Sequence, residues 1–373
     1  MTTTATPAHA PAPVPPRRRN RSGGIRGGER VAGWIFVLPV IVILGIFLFV
    51  PVIMALWVSF SDWSGRGSPL SSDVHFVGLQ NYGNITTGGG LAERNFGIAL
   101  RNNAWYVLLV VPLQTALSLF LAVLVSRRLL RARGFFRTAY YFPSVTSSVA
   151  ITVLWLFLFS ASGVVNAIIA SFGGDGPNWF NDPRGLWAVV AGWFGMSAPP
   201  GWLTQGDFLG VTPWEWIQGP SIAMFAFVLM AVFTTSGTFM LLFMAAIQNI
   251  DPALGEAGLV DGASAWQRFW RITLPQLRPT LFTVITLGLI GCWQVFDQIY
   301  TGTQGAPGNT TVTPAYLSYT ASFIDQKWGN GAAIAFILFL IIIVFTLFQR
   351  WVLRDRPVSR RRIRAYQPKG AKS

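Results

Sequence analysis

The sequence predicts an all-α integral membrane protein of about six transmembrane helices, and three observations carry that prediction. Of 373 residues, 52% are hydrophobic and 11% charged, with a mean hydropathy of +0.48, more apolar than a single soluble core requires. The apolar residues gather in six runs, at approximately 32–60, 99–125, 142–170, 221–248, 280–300 and 332–352, on the scale of the roughly twenty residues a helix needs to cross the hydrocarbon layer. The segments between the runs segregate by charge. With the N-terminus inside, the first arm, the loop near 126–138, the loop near 249–279 and the tail after Gln349 hold six, five, three and nine Lys or Arg, 23 of the chain's 28. Only Arg66, Arg94, Arg101, Arg184 and Lys327 remain outside, the positive-inside pattern of a multi-pass protein with both termini cytoplasmic.

The net charge of +14 would also suit a nucleic-acid binder, but such a protein carries its basic residues on a polar folded domain rather than between long apolar runs. No nucleic-acid partner is expected, and the basic tail at 353–373 reads as an anchor against anionic membrane lipid. Cys292 is the only cysteine, and His9 and His75 are distant in sequence, which leaves neither a disulfide framework nor a Cys/His metal cluster.

In chain order, residues 1–30 are rich in Thr, Ala, Pro, Gly and Arg without apolar periodicity and predict a disordered basic arm. Arg17, Arg18, Arg19 and Arg21 before an apolar run mimic a twin-arginine export signal. The run from Val31 to Phe60 is about thirty residues, too long for a signal core of roughly 7 to 15. Pro39, Pro51, Pro112 and Pro143 lie in or at the ends of the runs and predict kinked helices in a bundle whose neighbours re-satisfy the freed carbonyls. Between Gly173 and Gly219 turn residues alternate with aromatics, and the apolar stretch Gly185 to Met196 is too short to span. This segment predicts an external insertion between the third and fourth spans, with Trp187, Trp193, Trp202, Trp214 and Trp216 at headgroup level.

The loop at 249–279 is the most informative piece. Asp251 before Pro252 reads as an N-cap with proline at the first helical position. Leu254, Ala257 and Gly258 then share one face, with Glu256 and Asp261 off it. Gly262 offers a break, and Trp266, Phe269, Trp270 and Ile272 begin a second amphipathic helix stopped by Leu274-Pro275. The product is a short helix–turn–helix at the cytoplasmic surface.

That loop resembles the EAA motif in permeases of binding-protein-dependent ABC importers, whose pattern is E-A-A, a Gly after three further residues, and I-x-L-P. Glu256-Ala257-Gly258, Asp261-Gly262-Ala263, Ile272, Leu274-Pro275 and Pro279 fall in register, with Gly258 in place of the second alanine. The carbohydrate-uptake branch is resembled further at Phe76 to Tyr82, Arg137 to Pro143 and Phe296 to Tyr300. The resemblance implies an ABC type I importer permease bundle spanning residues 31–352 in a bacterial plasma membrane. It also implies a second homologous permease subunit, cytoplasmic ATP-binding subunits docked on the motif, and an extracytoplasmic solute-binding protein. In that reading Glu256, Ala257, Gly258, Asp261, Gly262, Ala263, Leu274 and Pro275 couple the permease to the ATPase.

No G-x-x-x-x-G-K-[ST] occurs, and Lys327, Lys369 and Lys372 follow no phosphate-cradling glycine loop. ATP is therefore expected to be used by the partner subunit, and no cofactor or metal by this chain. Neither G-x-S-x-G nor H-E-x-x-H is present, and no enzymatic role is expected. Thr234-Thr235-Ser236-Gly237-Thr238 interrupts the fourth span, and Gln294 with Asp297 polarises the end of the fifth. Such hydroxyls commonly bond their own backbone or a neighbouring helix; the other reading is a polar path for a hydroxyl-rich solute. By position in the resembled sugar permeases, Thr234, Thr235, Thr238, Gly288, Gly291 and Cys292 fall where sugar contacts occur, and Trp293, Gln294 and Asp297 complete the candidate path. A secondary transporter driven by an ion gradient is the alternative, which calls for inverted repeats, broken helices and midplane ionisable groups.

Overall fold

The structure is a computed structural model and describes residues 27–126, 132–195 and 200–352. The basic tail, the arm up to residue 26 and residues 127–131 of the loop near 126–138 lie outside the described residues; residues 27–30, expected in the arm, are helical. The described residues form helices and turns, with pairing limited to isolated bridges. Two compact units divide at Met54. In the first, α1 (Gly27–Leu44) runs through a π turn at Gly45–Phe49 into α2 (Val50–Ser59), which continues past the division. Pro51 has no N–H for the Phe47 carbonyl, and the turn before it opens so that the Val50 N–H reaches back to the Gly45 carbonyl.

The second unit begins with a short α3 (Gln80–Thr86) and the long α4 (Leu91–Ser126). Then follow α5 (Arg133–Val145), α6 (Ser148–Leu158) and α7 (Val164–Ser171). The insertion carries α8 (Leu186–Trp193) and α9 (Pro213–Ile217), after which α10 (Ile222–Gln248) runs back through the bundle. The 249–279 loop is α11 (Pro252–Val260), α12 (Ala265–Arg268), a π turn at Phe269–Thr273 and α13 (Leu274–Gln276). The chain closes with α14 (Arg278–Trp293), α15 (Asp297–Gly302), α16 (Pro314–Tyr319) and α17 (Trp328–Val352).

Among the described residues, five segments are long and apolar enough to cross a membrane: Ala32–Ser59, Leu91–Ser126, Ile222–Gln248, Arg278–Gly302 and Trp328–Val352; a sixth follows if the bent α5–α6 pair counts as one. The third span is where the expectation needs correction. Residues 142–170 are not one helix: α5 and α6 meet at 100°, α6 ends at Leu158, and α7 is separate. Pro143 and the hydroxyl-rich Ser144 to Ser148 stretch favour a break over a continuous ladder.

The core is built on α4 against α10. From α10, Met224, Phe227, Met230, Met240 and Phe243 are fully enclosed, against Ala99, Val110, Ala122 and Val125 of α4. The fifth span breaks after Trp293, and the freed carbonyls are met from neighbouring segments: Asn103 Nδ2 donates to Trp293 O at 3.3 Å and Thr313 Oγ1 to Val295 O at 2.9 Å. This is the internal satisfaction that broken backbone in a membrane protein requires. The insertion lies along the start of α4. Arg94 pairs with Glu215 at 2.8 Å and with the Gly210 carbonyl at 2.7 Å, and Trp105 donates to Trp216 O at 2.8 Å. No helix in the described part of the insertion is long enough to span.

Candidate functional site

Two features stand out: a cavity at the α5–α6 bend, and the surface of the α11–α13 loop. The cavity, of about 300 Å³, is bounded by Ser144, Thr146 and Ser148 at the bend, by Thr234, Thr235 and Thr238 on α10, and by Gln298 on α15. Pro143, Ile151, Met230 and Phe239 complete the wall, so it is hydroxyl-rich and contains no ionisable side chain. A glycine shapes it. A Cβ on Gly237 would strike the Tyr140 carbonyl and stand 2.6 Å from Ser144 Oγ and 3.0 Å from Tyr141 Cα, so only glycine lets α5 cross α10 this closely. Ser144 then donates to the Thr234 carbonyl at 2.7 Å, which joins the two helices beside the cavity.

The three threonines differ in what their hydroxyls do. Thr234 turns back onto the Met230 and Ala231 carbonyls, at 3.0 and 3.1 Å. Thr235 Oγ1 lies 2.6 Å from Gln114 Oε1 and 2.7 Å from the Ala231 carbonyl. Its one hydrogen serves packing between α10 and α4. Thr238 is exposed at the cavity and its hydroxyl has no partner among the described residues. The helix-bonding reading therefore describes Thr234 and Thr235, and Thr238 is the member whose hydroxyl faces the cavity without a bond among the described residues.

The fifth-span candidates sit elsewhere. Gly288 leaves room for the buried Gln114 amide, whose Nε2 would otherwise meet a Cβ. Cys292 and Trp293 are buried in the main core, Trp293 against Phe345 at 5.4 Å. Gly291, Gln294 and Asp297 are exposed, with open space where a Cβ of residue 291 would stand. None of these six lines the cavity. Sequence reasoning missed Ser144, Thr146, Ser148 and Gln298; the run of hydroxyl residues after Pro143 was the available signal.

In the loop, Asp251 caps α11 by accepting from Ala253 N–H at 2.9 Å. The helix ends as its sequence requires. Gly262 has φ +72°, Ala263 N–H reaches the Gly258 carbonyl at 2.9 Å and Gly262 N–H the Leu259 carbonyl at 3.0 Å, the paired closure of a Schellman ending. Ser264 and Gln267 then form a capping box for α12. Of Leu254, Ala257 and Gly258 on their shared face, Gly258 is the one that packs: Leu254 and Ala257 are exposed, and a Cβ on Gly258 would stand 2.9 Å from Ile272 Cδ1 and 3.3 Å from Arg268. One expectation is corrected here: Leu274-Pro275 does not stop the second helix. Pro275 has no N–H for the Arg271 carbonyl, and the preceding turn opens to π spacing, with Leu274 N–H on the Phe269 carbonyl, so the chain stays helical to Gln276.

The outer side of the loop is apolar. Leu254, Leu259, Val260, Trp266 and Trp270 are all exposed, Val260 at 88%, around Glu256 and Asp261, which are exposed and make no ion pair among the described residues. An apolar cluster of this kind rimmed by carboxylates has the composition of a protein-docking surface.

Known proteins share this sequence and architecture. Residues 114–356 match the family described as binding-protein-dependent transport system inner membrane component. A probable ABC transporter permease protein of Pyrococcus horikoshii is 32% identical over 84% of this chain and 92% of its own length. The lactose transport system permease protein LacF of Rhizobium radiobacter is 30% identical over 87% and 95%. The crystal structure of a bacterial ABC transporter involved in the import of the acidic polysaccharide alginate superposes with a TM-score of 0.65 at 20% identity, covering 88% of this chain and 96% of that one, a likeness of fold. With the bundle, the broken spans and the EAA-like loop in place, the chain belongs to the inner-membrane permeases of binding-protein-dependent ABC transport systems.

Proposed function

We propose that this chain is the permease subunit of an ATP-driven importer that passes a sugar or oligosaccharide, delivered by an external binding protein, across a bacterial plasma membrane. The observation that carries the substrate class is the cavity wall: Ser, Thr and Gln side chains beside apolar ones, with no charge. Hydroxyl-rich neutral solutes match such a wall, whereas an ion entering it would lose hydration without a counter-charge. Relatives named for lactose and for arabinooligosaccharides support the same class.

In this reading both termini are cytoplasmic, the insertion is external, and a second homologous permease completes the path. The chain itself catalyses nothing and holds no cofactor; ATP is used by cytoplasmic subunits docked on the exposed apolar face of α11 and α12, with Glu256 beside it. Closure of the ATPases draws the two coupling loops together and switches the access of the path, a two-state change driven by differential contacts. Thr238 and Gln298 are the polar groups best placed for solute, with Thr234 and Thr235 supporting them. Glu256→Lys should leave the protein in the membrane and release the ATPase on purification, with ATP-dependent uptake into vesicles lost. Removing or reversing one partner of a desolvated interfacial pair costs about 2–5 kcal/mol. A variant that retains ATPase and uptake refutes the coupling role, and wild-type uptake on an ion gradient without nucleotide refutes the ATP-driven reading.

A further inference from the structure

Between the 249–279 loop and the bundle lies a second cavity, of about 380 Å³, walled by the last turn of α4, the residues that follow α10, and α11 and α12. Two side chains of opposite charge line it: Asp251 at the N-cap of α11 and Arg268 at the end of α12. They are the only ionisable groups among its described lining residues. Neither makes an ion pair among the described residues, with the other or with a third group. Asp251 uses one oxygen on the Ala253 N–H at 2.9 Å. The stem of Arg268 lies across α11, its Cγ and Cδ 3.3 Å from where a Cβ of residue 258 would stand. Arg268 Nε is enclosed with no hydrogen-bond partner among the described residues, and so is Ser126 Oγ on the α4 wall. An enclosed donor without an acceptor is costly, more so on a charged group, and these two call for a ligand that brings acceptors.

The rest of the wall is largely apolar, with Val123, Ile247 and Phe269 facing the space. Its depth follows from the spans. The apolar run of α4 ends at Val125, with Arg127 and Arg128 soon after in sequence, and α10 ends at Gln248. The cavity therefore stands where the hydrocarbon layer gives way to headgroups.

We propose that this cavity seats the headgroup of an aminophospholipid. The phosphate accepts from Arg268 and Ser126, the primary ammonium donates to the second oxygen of Asp251, and the glycerol and first methylenes lie on Val123, Ile247 and Phe269. A cation and an anion that share a wall without meeting select a ligand that carries both signs, and the membrane supplies one at this depth. Because Asp251 and Arg268 belong to the loop and Ser126 to α4, the headgroup ties the loop to the bundle. This recognition depends neither on which solute is carried nor on which side of the membrane the loop lies.

The test uses the full-length chain, purified with its partner subunits and stripped of lipid in detergent. It is titrated with phosphatidylethanolamine, phosphatidylcholine and phosphatidylglycerol of matched acyl chains, bound lipid being counted by native mass spectrometry and this site isolated as the difference between wild type and variants. Phosphatidylethanolamine should bind at least about five-fold more tightly than the other two, the scale of one partly exposed charge pair. Asp251→Asn keeps the cap, since Asn caps as well as Asp, and should abolish that preference while leaving phosphatidylglycerol unchanged. Arg268→Gln should weaken all three lipids, which share the phosphate. Gly255→Leu should do the same with both charges in place, because residue 255 lines the cavity and a Cβ there meets nothing within 4 Å. Equal binding of the three lipids to wild type overturns the two-charge seat, and phosphatidylethanolamine affinity unchanged in Asp251→Asn or in Arg268→Gln overturns the site. Loss of the ATPase from Arg268→Gln with lipid binding unchanged gives the cavity to that subunit instead. Soluble glycerophosphoethanolamine that displaces the lipid at equal concentration overturns the membrane as the source.

Discussion

Gly237 is where a single methyl group should matter most. In Gly237→Ala the new Cβ meets the Tyr140 carbonyl and the Tyr141 Cα, which are backbone atoms and cannot rotate away, so α5 must move off α10. Overpacking of this kind costs about 1–3 kcal/mol, and separating the helices puts the 2.7 Å bond from Ser144 to the Thr234 carbonyl at risk, worth about 1 kcal/mol more. Against this stands a gain of about 1 kcal/mol from replacing glycine by alanine inside a helix. The net is a loss of about 1–3 kcal/mol, or several degrees in melting temperature at about 2–4 °C per kcal/mol. Gly291→Ala is the matched control, because nothing lies within 4 Å of a Cβ there and only the helix-propensity gain remains. The assay is thermal unfolding of both variants in detergent by fluorescence-detected size exclusion, with uptake measured alongside. Equal melting temperatures for Gly237→Ala and wild type would refute the argument that this glycine sets the α5–α10 crossing.

Three further outcomes are expected. Thr238→Val, which removes the one cavity threonine hydroxyl with no partner among the described residues, should lower transport while the melting temperature holds, whereas Thr235→Val should lower stability by roughly 1 kcal/mol because it unpairs Gln114. Gly262→Ala forces a side chain onto a backbone at φ +72°, at a cost of about 1–2 kcal/mol, and should fray the end of α11 and weaken ATPase co-purification; full retention of the ATPase would count against the need for this turn. Acidification should loosen the insertion. The Arg184 guanidinium, bonded to both oxygens of Asp182, holds that carboxyl below its ordinary value, chiefly through the side-chain hydrogen bond. Burial pushes Glu215 up, but the bonds from Thr212 and Arg94 outweigh it and the net is also downward. Both groups contribute stability that is present above the ordinary carboxylate range and lost as pH falls through their depressed values, so protease sensitivity of the 173–219 segment should rise below about pH 4, and less so in Asp182→Asn.

The sequence by itself determined the class and the topology-bearing elements. Four of its six apolar runs return as long helices within a few residues of their expected bounds, apart from Leu91 opening α4 eight residues earlier than the run at 99, and the run at 280–300 returns as a span broken after Trp293. Asp251, Pro252 and Gly262 cap and end α11 as their local chemistry dictates. These features are local: hydropathy over one helix length, or capping within a turn, needs no partner elsewhere in the chain. Tertiary structure decided which side chains meet. Nothing in the order of residues says that Gly258 opens space for Ile272, that Gly288 opens space for Gln114 while Gly291 faces none, or that Thr235 spends its hydroxyl on α4 and Thr238 does not. Helices that are apolar all round carry no amphipathic stripe to mark their inner face. Which face is inside, and hence which threonine hydroxyl faces the cavity, is fixed by close approach between helices distant in sequence.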